Sequence, residues 1–156
     1  MVYNNFILLI MLMVEMTKDE IQNFLLKDTF TGKLGTINKN GTPHVVTIWY
    51  TLDEEDNILF NTDYNSVKAK NIQRDNRVRL CVDDQTPLFS FVTIDGIAEI
   101  ISKEPREVYK WAKIIAARYM GNDKAEEYGR RNSSEGELLI KITPTKVIGQ
   151  KDIAGW

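Results

Sequence analysis

The chain has 156 residues, 43% of them hydrophobic and 27% charged, which points to one globular domain with a sizeable core. Lys+Arg 20 against Asp+Glu 22 gives a formal charge of -2, and this speaks against a general nucleic-acid binder, which carries a clear basic excess. The single Cys81 excludes an internal disulfide and fits a reducing, cytoplasmic compartment; with His44 the only histidine, a metal would need carboxylates alone, and no loop is arranged for that.

Residues 1–16 read as an apolar N-terminal extension. Phe6 to Val14 is an uninterrupted apolar run, well short of the roughly 20 residues that span a bilayer. No Lys or Arg precedes it and no small-residue cleavage site follows, so it does not read as a signal peptide. The expectation is an extension of the domain or an upstream start, packed against a partner subunit. The domain itself occupies residues 17–156. Thr17 and Glu20 form a capping box with Met16 and Ile21 as its staple, and Ile21, Phe24 and Leu25 mark one face of a short helix. Residues 35–37 and 45–50 flank Asn38-Lys39-Asn40-Gly41, a hairpin signal, and the acidic turn 53–57 leads into 58–61; three strands in antiparallel meander are expected. Residues 66–74 predict a helix capped by Asn65 or Ser66. Strands follow at 77–82 and 89–101, with Gly96 a bulge or bend. Ser102 is expected to cap an amphipathic helix with Pro105 in its first turn, a Val108, Trp111, Ala112, Ile115, Tyr119 stripe, and Gly121 as its stop. Residues 123–131 suggest one more helix. A last strand at 138–142 and 146–148 is expected to break near Pro144. The sum is a mainly β (α+β) chain of about six antiparallel strands with flanking helices. A small closed or split barrel suits it, with a two-layer α+β sheet as the competing architecture.

The stretch with most chemistry is LFNTDYNSVKAKNI, residues 59–72, where a strand hands over to a helix. A helix N-terminus attracts anions, Ser66 can donate a hydroxyl, and Lys68 adds a full charge in the first turn. Asn61 and Thr62, ending the strand, present amide, hydroxyl and backbone groups. On composition alone the commoner role of such a corner is a plain helix cap. Elsewhere, Trp49 is either a core aromatic or the flank of a planar ring. His44 reads as a surface residue, with contact to a substrate as the lesser alternative. Phe89 and Phe91 share a strand face suited to core packing or a pocket wall, and Cys81 is an inert small hydrophobe. The Asp53 to Asp56 turn is solvated, and nothing places Arg130 and Arg131 near a pocket.

Four stretches, GTINKNGTPHVVTIWY, LFNTDYNSVKAKNI, RDNRVRLCVDD and IDGIAEI, together resemble the pyridoxamine 5'-phosphate oxidase-like, FMN-binding split-barrel family, nearest its small oxidoreductases that use FMN or a deazaflavin (coenzyme F-420). The resemblance implies a homodimer with two equivalent cofactor sites at the subunit interface. It places Val46, Thr47, Ile48 and Trp49 beneath the ring and phosphate of the cofactor, Asn61 and Thr62 at the ring or ribityl chain, and Ser66 and Lys68 at the phosphate. Many relatives carry an arginine near residues 64–67, which this chain lacks, and KDIAGW does not replace the C-terminal Trp and Arg pair of the true vitamin-B6 oxidases. Pyridoxamine phosphate is therefore not the expected substrate. The expected activity is hydride exchange between the bound flavin and a small molecule, with no catalytic side chain assigned, since the ring carries the chemistry. A non-catalytic protein that stores, carries or senses a flavin is the alternative. A nucleic-acid-binding barrel is a remoter one, opposed by the charge.

Overall fold

The structure is a computed structural model and describes residues 14–155; the expectations for residues 1–13 and for Trp156 lie outside it. In chain order the elements are β1 (Val14–Glu15), α1 (Lys18–Leu26), β2 (Gly32–Ile37), β3 (Pro43–Ile48), β4 (Thr51–Leu52), β5 (Ile58–Asp63), α2 (Val67–Arg74), β6 (Arg77–Asp84), β7 (Ser90–Ser102), α3 (Pro105–Met120), α4 (Ala125–Arg131) and β8 (Glu137–Lys151). One antiparallel sheet runs β3-β2-β6-β7-β8-β5-β4, with β1 added to β8, and curls into a half-barrel.

Period-two alternation decides the inside. Leu34, Val78, Leu80, Val82, Val92, Ile94, Ala98, Ile140 and Ile142 line the concave face and are essentially without solvent contact, each worth about 1.5–3 kcal/mol where the side chain is large. Phe24 and Leu25 of α1 close one end of that core. α1 starts as its sequence dictates: Glu20 N–H donates to Thr17 Oγ1 (3.2 Å) and Thr17 N–H to Glu20 Oε2 (2.8 Å). Met16 and Ile21 pack on the core below the box. β5 is covered on both faces, because Ile58 and Phe60 point into the barrel while Leu59, with Leu139 of β8, packs against Val108 and Trp111 of α3.

Several expectations are corrected. The meander stops at β3: β4 pairs with β5, but β5's other neighbour is β8, so the chain passes from one edge of the sheet to the opposite edge through Trp49 and Tyr50. The first hairpin forms where Asn38 to Gly41 marks it, through a three-residue turn. Asn38 N–H donates to Thr42 O and Gly41 N–H to Asn38 O, with Gly41 at φ 84°; this is the three-residue turn with a left-handed residue at its end. Asp53 to Asn57 repeats it with Asp56 at φ 63°. β8 does not break at Pro144 but runs unbroken, Thr145 being squeezed out as a bulge between the pairs Asp95↔Lys146 and Gly96↔Pro144. Ser102 ends β7 rather than capping α3. Glu104 is the N-cap, and its N–H donates to Ser102 Oγ. α4 begins at Ala125, after a turn in which Lys124 and Ala125 N–H donate to Gly121 and Asn122 carbonyls. Phe89 precedes β7 at φ 62° and is exposed, so it is not a core residue.

Candidate functional site

The corner of residues 61–68 is built by one tight turn. Ser66 N–H donates to Asp63 O (3.0 Å), Asn65 N–H to Asp63 Oδ1 (2.7 Å) and Tyr64 N–H to Gly136 O (2.8 Å). The turn delivers Ser66 as N-cap of α2, its Oγ accepting from Ala69 N–H at 3.2 Å. The same Oγ lies 2.9 Å from Thr62 Oγ1, so strand end and helix start share a hydroxyl pair. Val67 and Lys68 N–H precede Lys70, the first N–H to donate along the helix (to Ser66 O), and the helix dipole adds partial positive charge there. The helix is pinned behind the corner by the buried Asn71, whose Nδ2 donates to Thr36 Oγ1 (3.0 Å) and Asn38 Oδ1 (3.1 Å).

Lys68 is half-buried, and burial pulls its ammonium below the usual lysine range, with Glu137 and then Asp63 acting to hold the charge. Glu137 is pushed up by burial first and by the Asp63 carboxylate second, with Lys68 opposing. Asp63 and Glu137 are directly paired across β5 and β8, which puts the two carboxylates on one face. Sequence reading missed Glu137 because nothing local connects residue 137 to residue 63; the β5–β8 pairing does. It likewise missed Lys103, brought from the β7–α3 connection to 5.9 Å from the Tyr64 ring.

The other residues singled out in the sequence fall on two sides of the sheet. Thr62 is buried on the barrel side, whereas Asn61, one residue earlier, points outward as strand alternation requires. Asn61 Nδ2 donates to Val108 O (3.4 Å), and its Oδ1 is buried with no hydrogen-bond partner among the described residues. Val46 shares the inner face with Leu34 and Thr47 the outer face with Lys33, both on β3, which among the described residues is an edge strand laddered to β2 alone. Trp49 lies beyond β3 with its indole stacked on Tyr119 of α3 (centroids 5.1 Å, interplanar angle 2°) and tilted against Tyr128 of α4 (6.3 Å). The structure thus brings Thr62, Ser66 and Lys68 together, sets Asn61 on the α3 side and places Trp49 toward that helix's far end. Val108 and Tyr119 are eleven residues apart on α3, about 16 Å at the helical rise.

The remaining candidates sit apart. His44 is half-buried opposite Thr36, not fully on the surface. Cys81 is half-buried on the outer face beside Lys33 and Thr93, its thiol pushed up chiefly by burial, which keeps it protonated and inert. Asp53 organises its own turn, accepting from Glu55 and Asn57 N–H. Arg130 pairs with Glu126 along α4 and Arg131 lies over Tyr128. Among the described residues no cluster of three metal-ligating side chains forms and no helix is long and apolar enough to cross a membrane.

With this geometry in hand, the chain can be compared with known proteins. A family model described as pyridoxamine 5'-phosphate oxidase matches residues 17–151. A conserved hypothetical protein of Mycobacterium tuberculosis is similar in structure with a TM-score of 0.79 and 26% identity, over 90% of this chain and 88% of that one. An F-420 reductase is similar with a TM-score of 0.64 and 23% identity, over 80% and 94% of the two chains. The heme storage protein HutZ of Vibrio cholerae is similar with a TM-score of 0.66 and 14% identity, over 85% and 94%. Comparison with curated proteins finds no match.

Proposed function

The chain belongs to the pyridoxamine 5'-phosphate oxidase family, and on that premise we propose that it is a flavin-binding oxidoreductase, holding FMN or a deazaflavin such as coenzyme F-420 between two copies of the chain and exchanging hydride with a small-molecule substrate. The observation that carries this reading is the corner: a Ser66-capped helix start, joined to Thr62 by a hydroxyl pair, with a half-buried lysine in its first turn. That donor set suits a phosphate, since the helix start offers N–H groups and a hydroxyl with an ammonium carried in its first turn. A second feature fits the same group. Asn61 Oδ1 is a buried acceptor without a donor among the described residues, and such an atom costs about 1–3 kcal/mol unless a ligand N–H or O–H reaches it.

When bound, the tricyclic ring of such a cofactor supplies the hydride chemistry itself. The chain's residues bind and orient. Ser66, Lys68 and the α2 N–H groups take the anionic end. Asn61, fixed by its bond to Val108 O, accepts from a donor on the α3 side. The edge of β3 at Val46 and Thr47 offers backbone groups that no strand among the described residues pairs. Trp49, locked on Tyr119, acts as a fixed wall. No side-chain nucleophile is required.

The test is the visible absorption spectrum of the purified protein and the mass of any chromophore released by heat. FMN or deazaflavin uptake by the wild type, weakened about tenfold or more in Lys68→Ala as expected for a lost charge-assisted contact, supports the assignment. A protein that takes up neither compound refutes it. A bound cofactor that no soluble small molecule reduces or reoxidises would refute turnover and leave a carrier.

A further inference from the structure

The sheet order puts β3 and β2 at one end and β5 with β4 at the other. The two parts of the proposed cofactor site, the β3 edge at Val46 and Thr47 and the corner at Thr62, Ser66 and Lys68, therefore start on opposite sides of the half-barrel. α2 crosses from one to the other. It leaves β5 at the corner and buries Ala69 and Ile72 in the core. Toward its far end Asn71 and Arg74 grip the β2–β3 hairpin. Asn71 is 3% exposed, and both ends of its carboxamide are used. Nδ2 donates to Thr36 Oγ1 (3.0 Å) and to Asn38 Oδ1 (3.1 Å), while Oδ1 accepts from Arg74 Nη2 (2.9 Å). Arg74 Nη2 also donates to the Ile37 carbonyl.

Asn71 follows Lys68 by three residues, about 4.5 Å along the helix axis. Its partner Thr36 faces His44 across the hairpin, and Val46 lies two residues farther along β3, about 7 Å at the strand rise. One buried carboxamide thus stands between the two parts of the site and bonds the element carrying the first to the hairpin carrying the second. Apolar packing of Ala69 and Ile72 is non-directional and does not by itself fix how α2 lies on the hairpin. Donors aimed at two fixed acceptors do, because a hydrogen bond specifies both distance and angle.

We propose that Asn71 is a positioning residue for the cofactor site, setting the distance and angle between the Ser66–Lys68 corner and the β3 edge so that one ligand engages both. The inference rests on the reading of those two places as a cofactor site and names the group that holds them in register. Asn71 acts through α2, and its effect on binding exists only while both contacts are made. A ligand held at two points gains from the second because the first keeps it at high effective concentration, and the gain vanishes when the spacing no longer matches the ligand. Without the carboxamide, the buried Thr36 hydroxyl loses the Nδ2 donor, and α2 keeps its apolar contacts and the Arg74 bond to Ile37 O.

The experiment is a double-mutant cycle on equilibrium binding in the full chain, with FMN and coenzyme F-420 as the probes and fluorescence as the readout. Asn71→Ala is expected to weaken binding about tenfold, the order lost when one of two linked contacts falls out of reach. In a Lys68→Ala background the same substitution is expected to cost less than about twofold, since the contact it aligns is already gone. Thr36→Val keeps the shape of the side chain and leaves Asn71 its bond to Asn38. It is expected to show the same pattern at about threefold, the order of one hydrogen bond, and it carries the test if Asn71→Ala does not fold, which urea unfolding reports. Losses that add in the cycle would overturn the proposal, marking a general loosening of the fold rather than a two-point grip. Full affinity in Asn71→Ala and Thr36→Val would overturn it as well. A wild type that binds neither FMN nor F-420 would instead overturn the cofactor reading on which the inference rests.

Discussion

Arg118 is a residue to which the sequence assigns no role and on which the fold depends. Its guanidinium sits between the rings of Tyr50 and Tyr119, 4.7 Å and 5.0 Å from their centroids. Its nitrogens donate to Tyr50 O (2.9 Å), Leu25 O (2.8 Å) and Asp28 O (3.2 Å). It therefore ties the end of α1 and the strand crossover to α3, with Tyr50 OH donating to Leu25 O (2.6 Å) and Tyr119 OH to Phe30 O (2.8 Å) alongside. In Arg118→Met the stem is kept and the fork is lost. Leu25 O retains the Tyr50 hydroxyl, so the main loss is the donor to Tyr50 O, at about 1–3 kcal/mol for a group left unsatisfied. The cation–π contacts add about 1–2 kcal/mol for a partly desolvated site. Because these contributions overlap, the expected destabilisation is about 3 kcal/mol, or about 6–12 °C in Tm for a domain of this size. Urea unfolding monitored by tryptophan fluorescence gives the value directly. Arg118→Lys should recover little, since an ammonium cannot reach three carbonyls in a planar fork. A loss below about 1 kcal/mol in Arg118→Met, or full recovery by lysine, would refute the clamp.

Two further perturbations test other parts of the same scheme. Gly96→Ala places a Cβ 2.5 Å from Ile142 Cγ2 and 2.9 Å from the Thr143 carbonyl oxygen, so the bulged β7–β8 ladder must shift; a loss of about 1–3 kcal/mol is expected in the same unfolding assay, and an unchanged midpoint would show that the close approach is not rigid. Tyr50 titrates at about 12, raised by burial with Arg118 opposing. A pKa raised above its unfolded value near 10 gives stability that is complete below about pH 10 and is lost as pH climbs toward 12, worth about 2–3 kcal/mol in total. Tyr50→Phe should remove most of that alkaline loss while costing about 1 kcal/mol at pH 7 for the bond to Leu25 O. An alkaline unfolding profile identical in the two proteins would refute the assignment to Tyr50.

The sequence by itself determined what depends on near neighbours. Thr17 and Glu20 sit three residues apart, the spacing of a capping box, and the box forms. Ser66 before an apolar-periodic stretch is a helix cap, and it caps. The alternating strands 77–84 and 90–102 and the Val108–Ile115 stripe bury the residues their periods select. What only the tertiary structure decided depends on which strand lies beside which. A strand's period tells its two faces apart but not its neighbour, so the pairing of β5 with β8 instead of β3 was invisible. That pairing covers Leu59 with α3, sets Glu137 opposite Asp63, and leaves Asn61 Oδ1 with no donor among the described residues. Arg118 reaches the α1 terminus across more than ninety residues of chain for the same reason. Local sequence sets caps, turns and faces because their energies act within a few residues. The charge environment of Lys68 and the clamp at Arg118 come from contacts made only after the sheet has curled.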